Sequence, residues 1–370
     1  AAALSEAGLR YHATGDPTAA EVFRQGIPVL ADIVQGMDRV TDARGSVLLP
    51  LIWDLVEESP VFSTQDRVEI TRFFWEYAHK CPNAGQTFEP GPIPEGNNWN
   101  ARANWAAARY FKHYYGVDVG GLYGWCEAYF GGQARFWKCR EDCPGYGSIT
   151  YHDLTSYALA RPDFTWLGRG HLRSAADYAL TVINNLGFAS GFGDTGSLED
   201  VGHWPQLLRV AAWYYQDGRY RYLLDRMPDQ GLLADEYAYT YLRQNRVAPV
   251  APVDMLGIRV QPLERWVYDE APLALASGTT ADKLLDRQPQ PPYEKCFDKI
   301  SFRDSFAADE PYLLLDGISH GYHAHPDGNA LICYTDNGRT LLFDNGYFVP
   351  DMSEHNTLVV FRDGLFAPVP

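Results

Sequence analysis

Basic side chains are scarce: 31 Lys and Arg stand against 47 Asp and Glu, a formal net charge of −16. A chain of that sign disfavours nonspecific binding to nucleic acid or to an anionic membrane surface. No run reaches the ~18 apolar residues of a membrane span. No signal peptide is present either, and the chain begins at Ala1 without Met, as a processed or trimmed product would. Cysteine is limited to 6, none in a C-x-x-C pair, so zinc-ribbon and thioredoxin-like readings fall away. Cys139 and Cys143 are the only close two, which leaves two options open: a disulfide from Cys139 to Cys143 or Cys126 in a secreted protein, or buried free thiols. The 33 Gly and 24 Pro are scattered rather than repeated, which excludes collagen-like and low-complexity classes.

What is present is enough for a large core. The chain has 370 residues, 46% of them hydrophobic, more than one average domain needs, so two structural units are expected. Aromatics reach 14%, with 10 Trp and 24 Tyr, an excess that serves a core and also suits a groove that stacks on sugar rings. Between residues 101 and 175 basic side chains outnumber acidic ones, against the trend of the whole chain. An anionic ligand would be drawn there.

The hydrophobic period changes once along the chain. From Pro17 to about Arg246, apolar residues recur at helical spacing, as in AAEVFRQGIPVLADIVQGM, RVEITRFFWEYAHK, NWAAARYFKHYY, SAADYALTVINNL and PQLLRVAAWYYQ. Gly-, Pro-, Asn- and Asp-rich breaks separate them, so successive helical hairpins in a toroid or solenoid are expected over residues 1–248. After RVAPVAPVD the segments KISFRD, YLLLDGIS, ALICYTDN, TLLFDNGYF and NTLVVFRDG are short, alternate or run apolar, and are punctuated by DG and NG turns. Residues 249–370 therefore read as an antiparallel β-sandwich, incomplete at its C-terminal end.

Three places could carry chemistry. Four of the ten histidines, His320, His323, His325 and His355, fall within 36 residues. In HGYHAHPDG, His323 and His325 lie two apart on a strand pattern, which predicts both rings on one face. With Asp344 and His355 from neighbouring strands, two imidazoles and a carboxylate form a candidate Zn²⁺ set; the plainer reading is surface and core histidines. The second place is EGNNWNARANW, where Asn97, Asn98 and Trp99 precede a helix whose first turns carry Arg102. Amide donors at a helix N-terminus suit a carboxylate, although Asn there more commonly caps the helix. The third is GYGSITYHDLTSYALA, which places Tyr146, Tyr151, His152 and Tyr157 between two helices; tyrosine there is more often a packing residue than an acid or base. Tyr347 follows Asp344 by three residues.

Taken together, these motifs resemble the heparinase II/III-like polysaccharide lyases, a group that also includes alginate and oligoalginate lyases and is related to dermatan sulfate epimerase. The resemblance spans both halves in order, an (α/α) toroid and then an antiparallel β-sandwich. It is most specific in HGYHAHPDGNALICYTDNGRTLLFDNGYFVPDMSEHNTLVV. It implies that His323 is the catalytic histidine, that His325, Asp344 and His355 hold a structural Zn²⁺ behind it, and that Tyr347 lies near the reaction centre. It further implies that Asn98, before Trp99, neutralises a uronate carboxylate, and that the catalytic tyrosine is Tyr157, with Tyr151 the alternative. Asn97, Trp99, Arg102 and His152 would contact substrate. The expected partner is an anionic polysaccharide or oligosaccharide, with no nucleic acid, and the expected location is secreted or periplasmic.

The chemistry agrees with that resemblance. A uronate lyase removes the C5 proton, which is weakly acidic until the adjacent carboxylate is neutralised, and then expels the C4 oxygen. Base and acid are to be found among Tyr157, His323 and Tyr347. Three other functions fit less of the sequence. A glycoside hydrolase needs two carboxylates, for which Asp194 with Glu199 or Asp200 is available. A uronate C5-epimerase shares the proton abstraction without elimination. A noncatalytic carbohydrate-binding protein would keep the metal for structure alone.

Overall fold

The computed structural model describes residues 2–35, 49–80, 98–133, 141–194, 198, 201–228, 247–259, 297–317, 323, 325, 327–344, 354–358, 361–362 and 365–366. By contacts the chain divides into two compact units, residues 1–91, 97–132 and 231–244, and residues 92–96, 133–230 and 245–370. The helices that follow residue 140 thus group with the strands.

The first unit is helical: α1 (Ala2–Thr14), α2 (Pro17–Gln35), α3 (Leu49–Val56), α4 (Thr64–Lys80), α5 (Asn98–Tyr115) and α6 (Leu122–Gln133). The pattern is plainest in α2. In α2 the buried positions Ala20, Phe23, Ile27 and Val34 repeat every three, four or seven residues, and Asp16 caps its start by accepting from Thr18 N at 2.9 Å. Phe23 stacks on Trp53 of α3 at 6.3 Å between centroids, and Phe62 meets Trp53 edge-on at 5.1 Å. All three rings are buried. Gly8 of α1 lets that helix close on α3, since a Cβ there would meet the Ile52 side chain.

The second unit packs helices α7 (Pro144–Ala160), α8 (Thr165–Gly168), α9 (His171–Val182), α10 (Trp204–Tyr215) and α11 (Gly218–Leu224) with an antiparallel sheet in the order β1 (Leu256–Arg259), β2 (Lys299–Arg303), β3 (Tyr312–Asp316), β4 (Leu331–Asp336) and β5 (Arg339–Phe343). A two-stranded ribbon, β6 (Phe361–Arg362) and β7 (Leu365–Phe366), follows. The β4–β5 hairpin turns at Asn337 and Gly338, both at positive φ, as the Asn-Gly pair demands. Tyr151 and its neighbours, expected between helices, instead form the middle of α7, a helix buried nearly all round.

The alternation of β2 is real, but its sense is the reverse of a simple apolar-in pattern. Lys299, Ser301 and Arg303 point into the unit and are buried, while Phe302 is exposed. Arg303 is accommodated by Asn185 Oδ1, which accepts from its Nε at 3.0 Å, and by the rings of Phe306 and Tyr312 at 4.3 and 4.2 Å. Asn185 in turn donates to Ser305 O and Glu310 O at 3.0 and 2.9 Å. The opposite face carries Leu256, Ile258, Phe302 and Leu331, each more than 40% exposed.

Asn185 therefore holds the loop after α9 to the sheet. Asn185→Ala takes a partner from the buried Arg303 Nε, at about 1–3 kcal/mol, and from two part-buried carbonyls at a smaller cost each. A loss of several kcal/mol, read as a lower urea midpoint, is the expected result. An unchanged midpoint would show that water replaces the amide without cost.

Candidate functional site

The histidine segment and two carboxylates converge within the second unit. Glu141 and Asp142 precede α7, and Cys143, the residue just before its first turn, is extended at φ −148° and ψ 132°. Glu141 is buried, and its Oε2 lies 2.6 Å from His323 Nδ1. The Tyr146 ring stacks on the imidazole at 3.9 Å between centroids, 14° from parallel. Beside a buried carboxylate Nδ1 is the donor, so Nε2 is the nitrogen that Glu141 leaves for other work. The His323 side chain is 36% exposed, whereas that of Glu141 is 1% exposed. The Glu141 hydrogen bond raises the His323 pKa above its ordinary value, against a smaller opposing effect of burial.

The backbone is as specialised as the side chains. His323 is not on a strand; it occupies a turn at φ +54°, in the left-handed region that few non-glycine residues adopt. The expected shared face for His323 and His325 is thereby lost, because strand alternation does not pass through a left-handed residue. The two imidazoles engage different carboxylates instead. His325 Nε2 is 2.5 Å from Asp194 Oδ1, and Asp194 N donates to His323 O at 3.0 Å. Gly193, at φ +56°, has its N–H on Asp327 Oδ2 at 2.9 Å, and a Cβ there would run into His323 O and lie 2.5 Å from Asp142 O. Only glycine fits where these three chain segments meet.

Asp344, just past β5, accepts from His355 Nδ1 at 3.0 Å and from Asn356 N at 3.3 Å. Burial raises the Asp344 pKa, and the His355 hydrogen bond opposes that. The His325 and His355 rings are 5.4 Å apart. Two imidazoles on one tetrahedral zinc would have centroids roughly 5 Å apart, so the spacing of the proposed ligands suits the metal. Their present hydrogen bonds do not: among the described residues no three His, Cys, Asp or Glu side chains form a group that could hold an ion, and His325 has turned its Nε2 to Asp194.

No protein-family model and no curated protein matches the chain. A solved structure does. It is a mutant of the heparan sulfate lyase HepC from Pedobacter heparinus, matched at 12% identity and a TM-score of 0.48 over 92% of this chain and 47% of that one. The chain thus spans about half the length of that protein, and a likeness of this size decides neither family nor function.

The remaining sequence-selected residues are spread more widely. Tyr151 is buried and faces Trp204 at 6.0 Å, a core position. Tyr157 is half-buried near the other end of α7. It is eleven residues past Tyr146, on the same helix face by angle but roughly 16 Å further along the axis. His152 is buried beside the His203 ring at 4.7 Å. Asn98 and Trp99 open α5, as expected, and Arg102 sits half-buried in its second turn. The Asn98 and Trp99 side chains, Asn97, Tyr347, His320, Glu199 and Asp200 lie outside the described residues. Cys143 is a free thiol, which removes its disulfide with Cys139, and burial pushes that thiol up to about 12; Cys139 itself lies outside the described residues.

Sequence reasoning missed Glu141 and passed over Tyr146. Their signal was present as an acidic pair directly before the Pro144 helix start, but nothing local links residue 141 to residue 323.

Gly193→Ala should fold poorly or lose several degrees of melting temperature, and imidazole reactivity toward diethyl pyrocarbonate should rise as the His323 turn loosens. A wild-type melting curve for that variant would refute the close approach of the three segments.

Proposed function

We propose that the chain is a polysaccharide lyase that cleaves a uronate-containing polymer by β-elimination. The observation that carries this reading is His323 itself, a partly exposed imidazole held by a buried carboxylate through one nitrogen, stacked under a tyrosine and set in a strained turn. That is how a proton-transfer group is oriented. The raised pKa favours the protonated ring, so His323 is assigned the acid that protonates the departing C4 oxygen. A tyrosine takes the C5 proton. Tyr146, whose ring touches His323, joins Tyr157, Tyr151 and Tyr347 as a candidate for that base. Asn98 at the start of α5 is assigned to the uronate carboxylate, with Asn97, Trp99, Arg102 and His152 as further substrate contacts.

The finer architecture belongs to the same proposal. The helices are read as an (α/α) toroid and the sheet as one layer of a β-sandwich, a reading supported by the apolar outer face of the sheet, since a contiguous face of this kind is normally covered. The substrate is an anionic polysaccharide, encountered outside the cytoplasm in a secreted or periplasmic setting. His325, Asp344 and His355 are assigned a structural Zn²⁺, which requires His325 to release Asp194; such an ion would stiffen the support behind His323.

An ultraviolet assay for the unsaturated uronate, run over heparin, heparan sulfate, chondroitin, dermatan, hyaluronan, alginate and ulvan, tests the reaction. A rising signal on one polymer is expected, with Glu141→Gln slower by roughly 100-fold at nearly wild-type melting temperature. Silence on all polymers with deuterium uptake at C5 would make the protein an epimerase instead. Elemental analysis tests the ion: about one zinc per chain is expected, lost in His355→Ala together with stability. Equal metal content in that variant and the wild type would remove the assignment.

A further inference from the structure

The Lys299 side chain is fully enclosed on β2. Its ammonium donates to Asp142 Oδ1 and Asp298 Oδ1 at 3.1 Å each and to Asp316 Oδ1 at 3.0 Å, and all three carboxylates are themselves buried. The Phe192 ring lies 4.5 Å from the ammonium. An ammonium carries three donors, and this one uses one on each carboxylate. Burial works against the charge on Lys299, but the three carboxylates outweigh it and hold the pKa above its ordinary value.

Stability alone does not account for this placement. A buried ion cluster commonly adds little over an apolar core of the same size, and β2 has Ile300 and Phe302 available, both pointing the other way. The positions of the partners are more informative. Asp142 is adjacent to Glu141 and precedes Cys143, whose backbone is extended, and the two neighbouring carboxylates go to different partners. The Glu141 carboxylate goes to His323, and the Asp142 carboxylate goes to Lys299. Phe192 is adjacent to Gly193 and two residues before Asp194, the partner of His325. The carboxylates that hold His323 and His325, though not the Asp344 that holds His355, are therefore carried on chain segments that Lys299 touches.

We propose that Lys299 is a positioning residue, which through Asp142 sets the reach and angle of Glu141 beneath His323. Asp316 and Asp298 anchor the ammonium to the sheet; Asp142 is the arm that transmits its position. What this positioning is for rests on the lyase reading, whereas the contacts, and the test below, stand without it.

The test compares two variants that each remove one carboxylate from the same ammonium, Asp142→Ala and Asp298→Ala. The readout is the downfield proton resonance of the His323 Nδ1–H on the Glu141 carboxylate, assigned by its disappearance in His323→Gln. The resonance is expected to be lost or broadened in Asp142→Ala and kept in Asp298→Ala, with both proteins folded by circular dichroism. A resonance that survives unchanged in Asp142→Ala, or is lost equally in both, overturns the proposal and leaves Lys299 a structural ion cluster. Should Asp142→Ala fail to fold, Asp142→Asn keeps the shape and removes the charge. A shifted resonance is then expected, and an unshifted one is equally fatal to the proposal. If wild type shows turnover on a uronate polymer, Asp142→Ala should lower kcat at least tenfold with KM little changed, whereas Asp298→Ala should not. An inactive wild type bears on the lyase reading and leaves the spectroscopic result to decide this one.

Discussion

One ammonium organises the sheet-bearing unit. Lys299 crosses no solvent and meets three buried aspartates that come from the segment before α7, from the start of β2 and from the end of β3. Burying one such charge without partners would cost far more than a small protein's net stability. The partners are therefore obligatory, and so is the route each chain segment takes to deliver them. Burial raises the Asp316 pKa from its ordinary value, and the Lys299 ammonium opposes that shift.

The candidate site sits on that frame as a set of imidazole–carboxylate pairs. Glu141 with His323, Asp194 with His325, and Asp344 with His355 repeat one motif with three degrees of exposure, from the partly open His323 to the buried His355. Exposure decides what each can do. A buried pair is structure or metal support, and an accessible ring held by one nitrogen is equipped to move a proton. The left-handed turn at His323 and the glycine at 193 are the backbone cost of bringing these segments so close together.

Much of the fold was legible because period is a local property. The stripes around Phe23, Phe74 and Leu207 lie in α2, α4 and α10, and KISFRD, ALICYTDN and the Asn-Gly turn became β2, β4 and their hairpin neighbour β5. Two local readings failed for definite reasons. The segment around Tyr151 shows no stripe because α7 is buried on nearly every side, so a helix was hidden by the absence of amphipathicity. The H-x-H spacing predicts a strand, and the positive φ of His323 interrupts the alternation that the spacing implies. The change from helical to strand period near residue 248 is also real, yet contacts draw the boundary elsewhere and join α7 to α11 with the sheet.

The sequence by itself determined the acidic balance, the order of helices before strands, the hairpin turn and the histidine-rich segment, because composition and period depend only on neighbours along the chain. Which face of β2 turns inward was decided by tertiary structure alone. Lys299 and Arg303 can be buried only where Asp142, Asp316 and Asn185 arrive from distant parts of the chain. The same holds for Glu141 and His323, 182 residues apart, since a carboxylate selects its imidazole by position in space and leaves no trace of that choice in the local pattern.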